Sequence, residues 1–175
     1  MSFLARFLGM SPRDPHSQEP KAIQSLLGPL DDLDADQARY LAAFAYVLSR
    51  VAAADRVIAD SELEQMRRIL IDEGALPTDQ AELVVGLAAG LAHEMGGAQD
   101  YVVTRRLAEL TPRDERERIL DCAIRVAAAD QRIDGHEERE LRGIAKQLGF
   151  SDKRFLDALN RYRDLRSVFL SPSTS

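Results

Sequence analysis

The run Val51-Ala-Ala-Ala-Asp55 recurs 75 positions later as Val126-Ala-Ala-Ala-Asp130, and the register holds well beyond it. Ile58 falls on Ile133, Glu62 on Glu137, Met66 on Leu141, Ile69 on Ile144 and Gly74 on Gly149. A short alanine-rich run repeats by chance. An Asp, an Ile, a Glu and a terminal Gly in one register do not. The chain therefore carries one unit twice, over about residues 40–74 and 115–149, and each copy reads helix, acidic turn, helix, glycine stop. Two helix-turn-helix copies of this size bury their apolar faces by packing on each other, which points to an all-α fold with a pseudo-symmetric core. Ile58 and Ile133, the apolar residue common to both turns, are expected to be buried.

Punctuation along the chain supports that reading. Asp34 or Asp36 can cap a long helix through Ala53, with Tyr40, Leu41, Phe44, Val47, Leu48 and Val51 at helical spacing. Ser61-Glu-Leu-Glu64 has the spacing of a capping box and starts a helix that stops near Gly74. Pro77-Thr78 opens a helix to about Glu94, and Asp100 to Leu110 forms the next. Thr111-Pro112 with Asp114 starts a helix to Ala129. Asp134-Gly-His-Glu137 caps one ending at Gly149, and Ser151 caps the last, through about Arg166. No segment alternates with period two for long enough to make a strand. Residues 1–19 read as a short helix and linker, 20–166 as the helical domain and 167–175 as a disordered tail. In the first segment Phe3, Leu4, Phe7 and Leu8 line one edge of the short helix, an arm that docks on its own domain or touches a membrane surface. Pro20 to Leu27 reads as another short helix closed by Gly28-Pro29.

Composition narrows the function classes. Trp is absent and aromatic residues make up 6%, so the core must be mostly Leu, Ala, Val and Ile, a palette suited to close helix packing. A net charge of −6 disfavours nucleic acid, whose phosphates demand a basic footprint. The arginines at 105, 106, 161, 163 and 166 stand among acids and read as solvated helix faces. Cys122 is the sole cysteine, which excludes an intrachain disulfide and fits a reducing compartment. No secretory signal and no stretch of roughly 20 apolar residues is visible, so the expected location is the cytoplasm, with the inner-membrane surface as the alternative.

The paired turns carry what chemistry the sequence offers. Each reads Asp-x-x-Ile-x-x-x-Glu, the spacing of the second half of a calcium-binding EF-hand loop. The first-half ligand positions fall on Val51 and Ala53, and on Val126 and Ala128, all apolar; Arg56 and Gln131 replace the turn glycine. A true EF-hand is excluded. What remains is Asp55 with Glu62 and Asp130 with Glu137, plus an added acid at Asp60 or Asp134. One turn alone falls short of the about six to eight oxygens that Ca²⁺ takes, but two turns together supply four or more carboxylates. With no His or Cys recurring in both copies, hard cations are favoured: Ca²⁺ first, with Mg²⁺ and Zn²⁺ as alternatives. A purely structural account stands beside this one. Asp after a helix accepts turn hydrogen bonds, and Glu in a first helical turn complements the helix dipole.

The second copy, Val-Ala-Ala-Ala-Asp130-Gln-Arg-Ile133-Asp-Gly-His-Glu137 followed by Leu141, Ile144 and Leu148-Gly149-Phe-Ser151, resembles the TerB-like domain family. The resemblance covers about residues 36–165. It implies a compact bundle of about seven or more helices with a symmetric core, and a divalent-metal site at Asp55, Glu62, Asp130 and Glu137. It also implies a link to tellurite and stress resistance, often beside membrane-associated protein partners, and includes membrane-bound co-chaperones of the DnaJ type. The family usually has Gly after the Asp, where this chain has Arg56 and Gln131.

No other chemistry is evident. His93 suits a helix C-terminus, His136 reads as solvent-facing, and Cys122 as a small core residue. No phosphate-cradling loop, metalloprotease motif or nucleophile elbow is present, so neither catalysis nor a small-molecule substrate is expected. Two functions from different classes remain: a metal-responsive stress-resistance module, and a metal-free helical adaptor or co-chaperone-type domain that docks proteins. Oligomeric state is not legible.

Overall fold

In the computed structural model, the described residues are 28–52, 58–94, 100–130, 133 and 135–169. They form seven α-helices and no strand: α1 (Ala35–Ala52), α2 (Asp60–Asp72), α3 (Thr78–Glu94), α4 (Asp100–Leu110), α5 (Arg113–Ala127), α6 (Gly135–Gln147) and α7 (Asp152–Phe169). Two 3₁₀ turns, Gly28–Leu30 and Ala128–Asp130, precede α1 and follow α5. The segments expected as helices near residues 2–8 and 20–27 lie outside the described residues. The last helix continues to Phe169, three residues into the tail expected to be disordered from 167.

The caps show why the helices begin where they do. Asp34 Oδ1 accepts the backbone N–H of Asp36 at 3.1 Å and of Gln37 at 3.0 Å, so Asp34 caps α1. The capping residue of α2 is Ala59, whose N–H donates to Glu62 Oε2 at 2.6 Å. Alanine has no side-chain acceptor to return the bond, so only the glutamate half of a capping box is made. The Ser61–Glu64 box expected from sequence does not form. Glu64 instead binds Arg67 (2.7 Å) and Arg68 (3.1 Å) on the outer face of α2. Pro112 caps α5, and Thr111 Oγ1 donates back to the carbonyl of Leu107 at 2.7 Å. Ser151 Oγ accepts from Arg154 N at 3.3 Å at the start of α7.

Helix α1 sits at the centre, against α3, α4, α5 and α6. Its uncharged run from Leu41 to Ser49 is buried on every side, where the apolar spacing alone suggested one apolar stripe. The Ser49 hydroxyl in that run donates to the carbonyl of Tyr46 at 2.7 Å. Around α1 the contacts survive exchange of the two copies: α2 packs on α5 as α6 packs on α1, and α1 on α3 as α5 on α7.

The repeat unit is three helices, longer than the sequence register showed. Ala81, Val84 and Val85 of α3 and Phe155, Ala158 and Leu159 of α7 are all buried, at an offset of 74 rather than 75. The slip occurs at the glycine stops. After α6, Phe150 N donates to Ala145 O at 2.9 Å and Gly149 N to Lys146 O at 3.1 Å, a Schellman stop with Gly149 at φ +85°. After α2, the matching bond runs from Leu76 N to Leu70 O at 3.1 Å, one residue longer, and the left-handed residue is Ala75 at φ +54°. Gly74 has another reason to be glycine. A Cβ there would stand 2.6 Å from Leu70 O and 3.3 Å from Cys122 Sγ.

Candidate functional site

Residues flanking the acidic turns of both copies line one cavity. It has a volume of about 60 Å³ and is lined by Val51, Ala52, Ile58 and Glu62 of the first copy and by Val126, Ala127, Ala129 and Glu137 of the second. Val51 with Val126, Ala52 with Ala127 and Glu62 with Glu137 are repeat counterparts, so the cavity lies where the copies meet. The face of α2 completes it with Gln65, Met66 and Ile69.

Both glutamates occupy the third position of their helices, since α2 begins at Asp60 and α6 at Gly135. That position complements the positive end of the helix dipole. In the first copy it also satisfies the N–H of Ala59. The structural account therefore holds for Glu62, and the same carboxylate also lines the cavity. A carboxylate has two oxygens and about four acceptor sites, so one capping bond does not exhaust it.

The other expected site residues are placed unevenly. Asp60 is exposed at the first position of α2 and is not in the cavity lining. Asp130 ends the 3₁₀ turn after α5, and its side chain lies outside the described residues, as do Asp55 and Asp134 altogether. Among the described residues, no three His, Cys, Asp or Glu side chains group as a metal cluster. Ile58 and Ile133 are half-buried rather than buried. Ile58 forms cavity wall, while Ile133 packs at the margin of the core. A turn that opens onto a cavity leaves its apolar residue partly uncovered.

Two residues beside the cavity escaped the sequence reading. Arg50 precedes Val51, and its side chain is only 8% exposed. It donates from Nε to Glu140 Oε1 at 2.9 Å and from Nη1 to Thr104 Oγ1 at 3.0 Å, and it also binds Gln147. One guanidinium thus ties the end of α1 to α4 and α6. Its counterpart Arg125 ties α5 to the end of α2, through Glu73 at 2.8 Å, and lies over the ring of Tyr162. The signal was available, because the repeated run is Arg-Val-Ala-Ala-Ala-Asp in both copies. Gln65, one turn beyond Glu62, had no such signal; its counterpart is Glu140.

The remaining candidates are quiet. His93 and His136 are exposed, His93 in the last turn of α3. Cys122 is buried, and burial pushes its thiol up to about 12, so it is not a nucleophile at neutral pH. Among the described residues no helix is long and apolar enough to cross a membrane.

Searches of curated proteins and of solved structures found no match. The family model for tellurite resistance protein TerB matches residues 40–160, from the second turn of α1 into α7. That span takes in both acidic turns and well over half of the chain, which belongs to the TerB tellurite-resistance family.

Proposed function

We propose that this TerB-family chain is a non-enzymatic stress-resistance module that binds a divalent cation weakly between its two acidic turns and docks protein partners. The observation that carries the reading is that Glu62 and Glu137, counterparts in the repeat, line one cavity. The donor chemistry fits a hard ion, since the repeated acids offer oxygen only, and calcium suits such a set best. Glu62 and Glu137 would hold it, with Asp55 and Asp130 as the further carboxylates of the repeat. The ion would be held by the carboxylates themselves, against the positive ends of the two helices, and by bridging Glu62 and Glu137 it would tie the two copies together. A net charge of −6 and the reducing chemistry of a lone buried thiol suit a cytoplasmic protein that works with proteins rather than nucleic acid.

Calorimetric titration of the full chain with CaCl₂ tests this. Wild type should bind with Kd of about 10⁻⁴–10⁻³ M, the range of weak calcium modules, and Glu62→Gln/Glu137→Gln should not bind. No saturable binding to wild type, or equal binding to the double variant, refutes the metal site.

The second reading is a metal-free adaptor, and the apolar side of the same cavity favours it: Val51, Ile58, Met66 and Val126 suit a partner's side chain as well as they suit a core. An unchanged partner affinity with and without Ca²⁺ would select it.

A further inference from the structure

The wall of the cavity is mostly apolar. Ile58, Met66, Ile69 and Val126 supply its large side chains, and the charged residues among the described lining are Glu62 and Glu137. Val51, Ile58 and Val126 are half-buried, so apolar surface meets solvent there. Whatever covers this wall has to be apolar along one edge and positively charged beside it. The sequence holds such a segment near its N-terminal end. Phe3, Leu4, Phe7 and Leu8 share one edge at helical spacing, and Arg6 flanks that edge three residues after Phe3. Arg6 is also the one charged side chain of residues 1–12.

We propose that the Phe3–Leu8 arm docks on this cavity of its own chain, with one leucine entering it and Arg6 pairing with the Glu62 and Glu137 carboxylates. Size favours the leucine. At about 60 Å³ the cavity falls well short of the roughly 150 Å³ that admits benzene, so an aliphatic side chain enters while Phe3 and Phe7 lie across the mouth. Charge favours Arg6, because the described lining holds two carboxylates and no cation, and a guanidinium forks onto such groups. Reach is ample. The stretch from Leu8 to Gly28 spans up to roughly 66 Å when extended, several times the radius of gyration of about 14 Å for a domain of this size. The inference needs no metal. It goes beyond the adaptor reading by naming what covers the apolar wall, and it makes arm docking and entry of a partner's side chain mutually exclusive.

Methyl NMR of the full chain tests this, with a nitroxide at Ser2→Cys, which helical spacing sets opposite the apolar edge. Cys122 is buried and does not take the label. The Ile58, Met66, Ile69 and Val126 methyls should broaden ahead of the other core methyls, and equally at every protein concentration. Leu4→Ser/Leu8→Ser should abolish the broadening, and Arg6→Glu should reduce it several-fold. These variants lie outside the described core, and the methyl spectrum itself reports that the fold persists. Cavity methyls that stay sharp, or that broaden as much in the double leucine variant, overturn the proposal. Broadening that grows with concentration overturns it too, and assigns the cavity to the arm of a second copy. Sharp cavity methyls together with binding of the labelled chain to phosphatidylglycerol vesicles overturn it in favour of a membrane-surface anchor.

Discussion

The left-handed residue after α2 offers a sharp test of how the two copies are registered. At φ +54°, Ala75 occupies a conformation that costs an L-residue about 1–2 kcal/mol. Its side chain is exposed, so replacement forfeits no packing. Ala75→Gly removes the strain but adds roughly 0.5–1 kcal/mol of chain entropy to be lost on folding. The net expectation is stabilisation by about 0.5–1 kcal/mol, which for a chain of this size raises Tm by about 1–4 °C. The second copy should respond in the opposite direction. Gly149→Ala incurs the left-handed cost and also sets a Cβ 2.8 Å from Arg116 Nη1, which donates to Leu148 O at 2.6 Å. Loss of that charged bond brings the total to about 2–4 kcal/mol. Gly74→Ala should destabilise as well, but through contact with the carbonyl of Leu70. Circular dichroism melts at several protein concentrations, with urea curves beside them, would measure all three. If the copies kept one register throughout, Ala75 would match Phe150 rather than Gly149, and Ala75→Gly would merely loosen the chain. A fall in Tm for Ala75→Gly therefore refutes the one-residue slip.

Four further outcomes follow from other parts of the structure. Glu140→Gln leaves the guanidinium of Arg50 without its charge partner, and should cost about 2–3 kcal/mol, less than the roughly 3–5 of a fully buried pair because Glu140 is 35% exposed; a urea midpoint within error of wild type would show that Arg50 does not depend on it. Burial lifts the Cys122 thiol from 9.0 and the Tyr40 phenol from 10.0 to about 12 each, so their neutral forms stabilise the fold fully below pH 9. That contribution should fade as pH rises toward 12, and a urea midpoint that stays level from pH 8 to 11 would contradict it. Hydrogen bonds from Arg67 and Arg68 hold the Glu64 carboxyl down to about 2, so its contribution is complete above the usual 4.5 and vanishes as pH falls through 2; Glu64→Gln should shallow the acid limb of stability in low salt. Finally, if Kd is near 10⁻⁴ M, 10 mM Ca²⁺ is a hundredfold excess and adds about 2.7 kcal/mol, a rise in Tm of roughly 5–10 °C that Glu62→Gln/Glu137→Gln should erase.

Much of this fold could be read from the residues because its punctuation is local. Asp34, Ser151 and the stretch from Asp100 to Leu110 mark their helices through short-range bonds and periodicity, and the structure keeps them. What stayed hidden depends on contacts between distant segments. That each repeat includes a third helix went unnoticed, although both helices were expected, because their buried positions exchange volumes: Ala81 stands where Phe155 does, and Val84 where Ala158 does. Packing conserves the sum across a pseudo-symmetric core, so identity at single positions is lost. The shared glycine at 74 and 149 misled in the other direction, since one glycine answers a close approach and the other a backbone angle. Arg50 was invisible as a hub because its partners lie 54, 90 and 97 residues away.

The candidate site has the same division. Glu62 and Glu137 recur because each sits at the third position of an equivalent helix, and helix chemistry alone would preserve them there. Helix chemistry does not require that both line a single cavity, for a first-turn carboxylate works equally well when it faces solvent. Two carboxylates of the repeat on one shared wall are what the cation site proposed above would draw on, and the calcium titration decides whether they do.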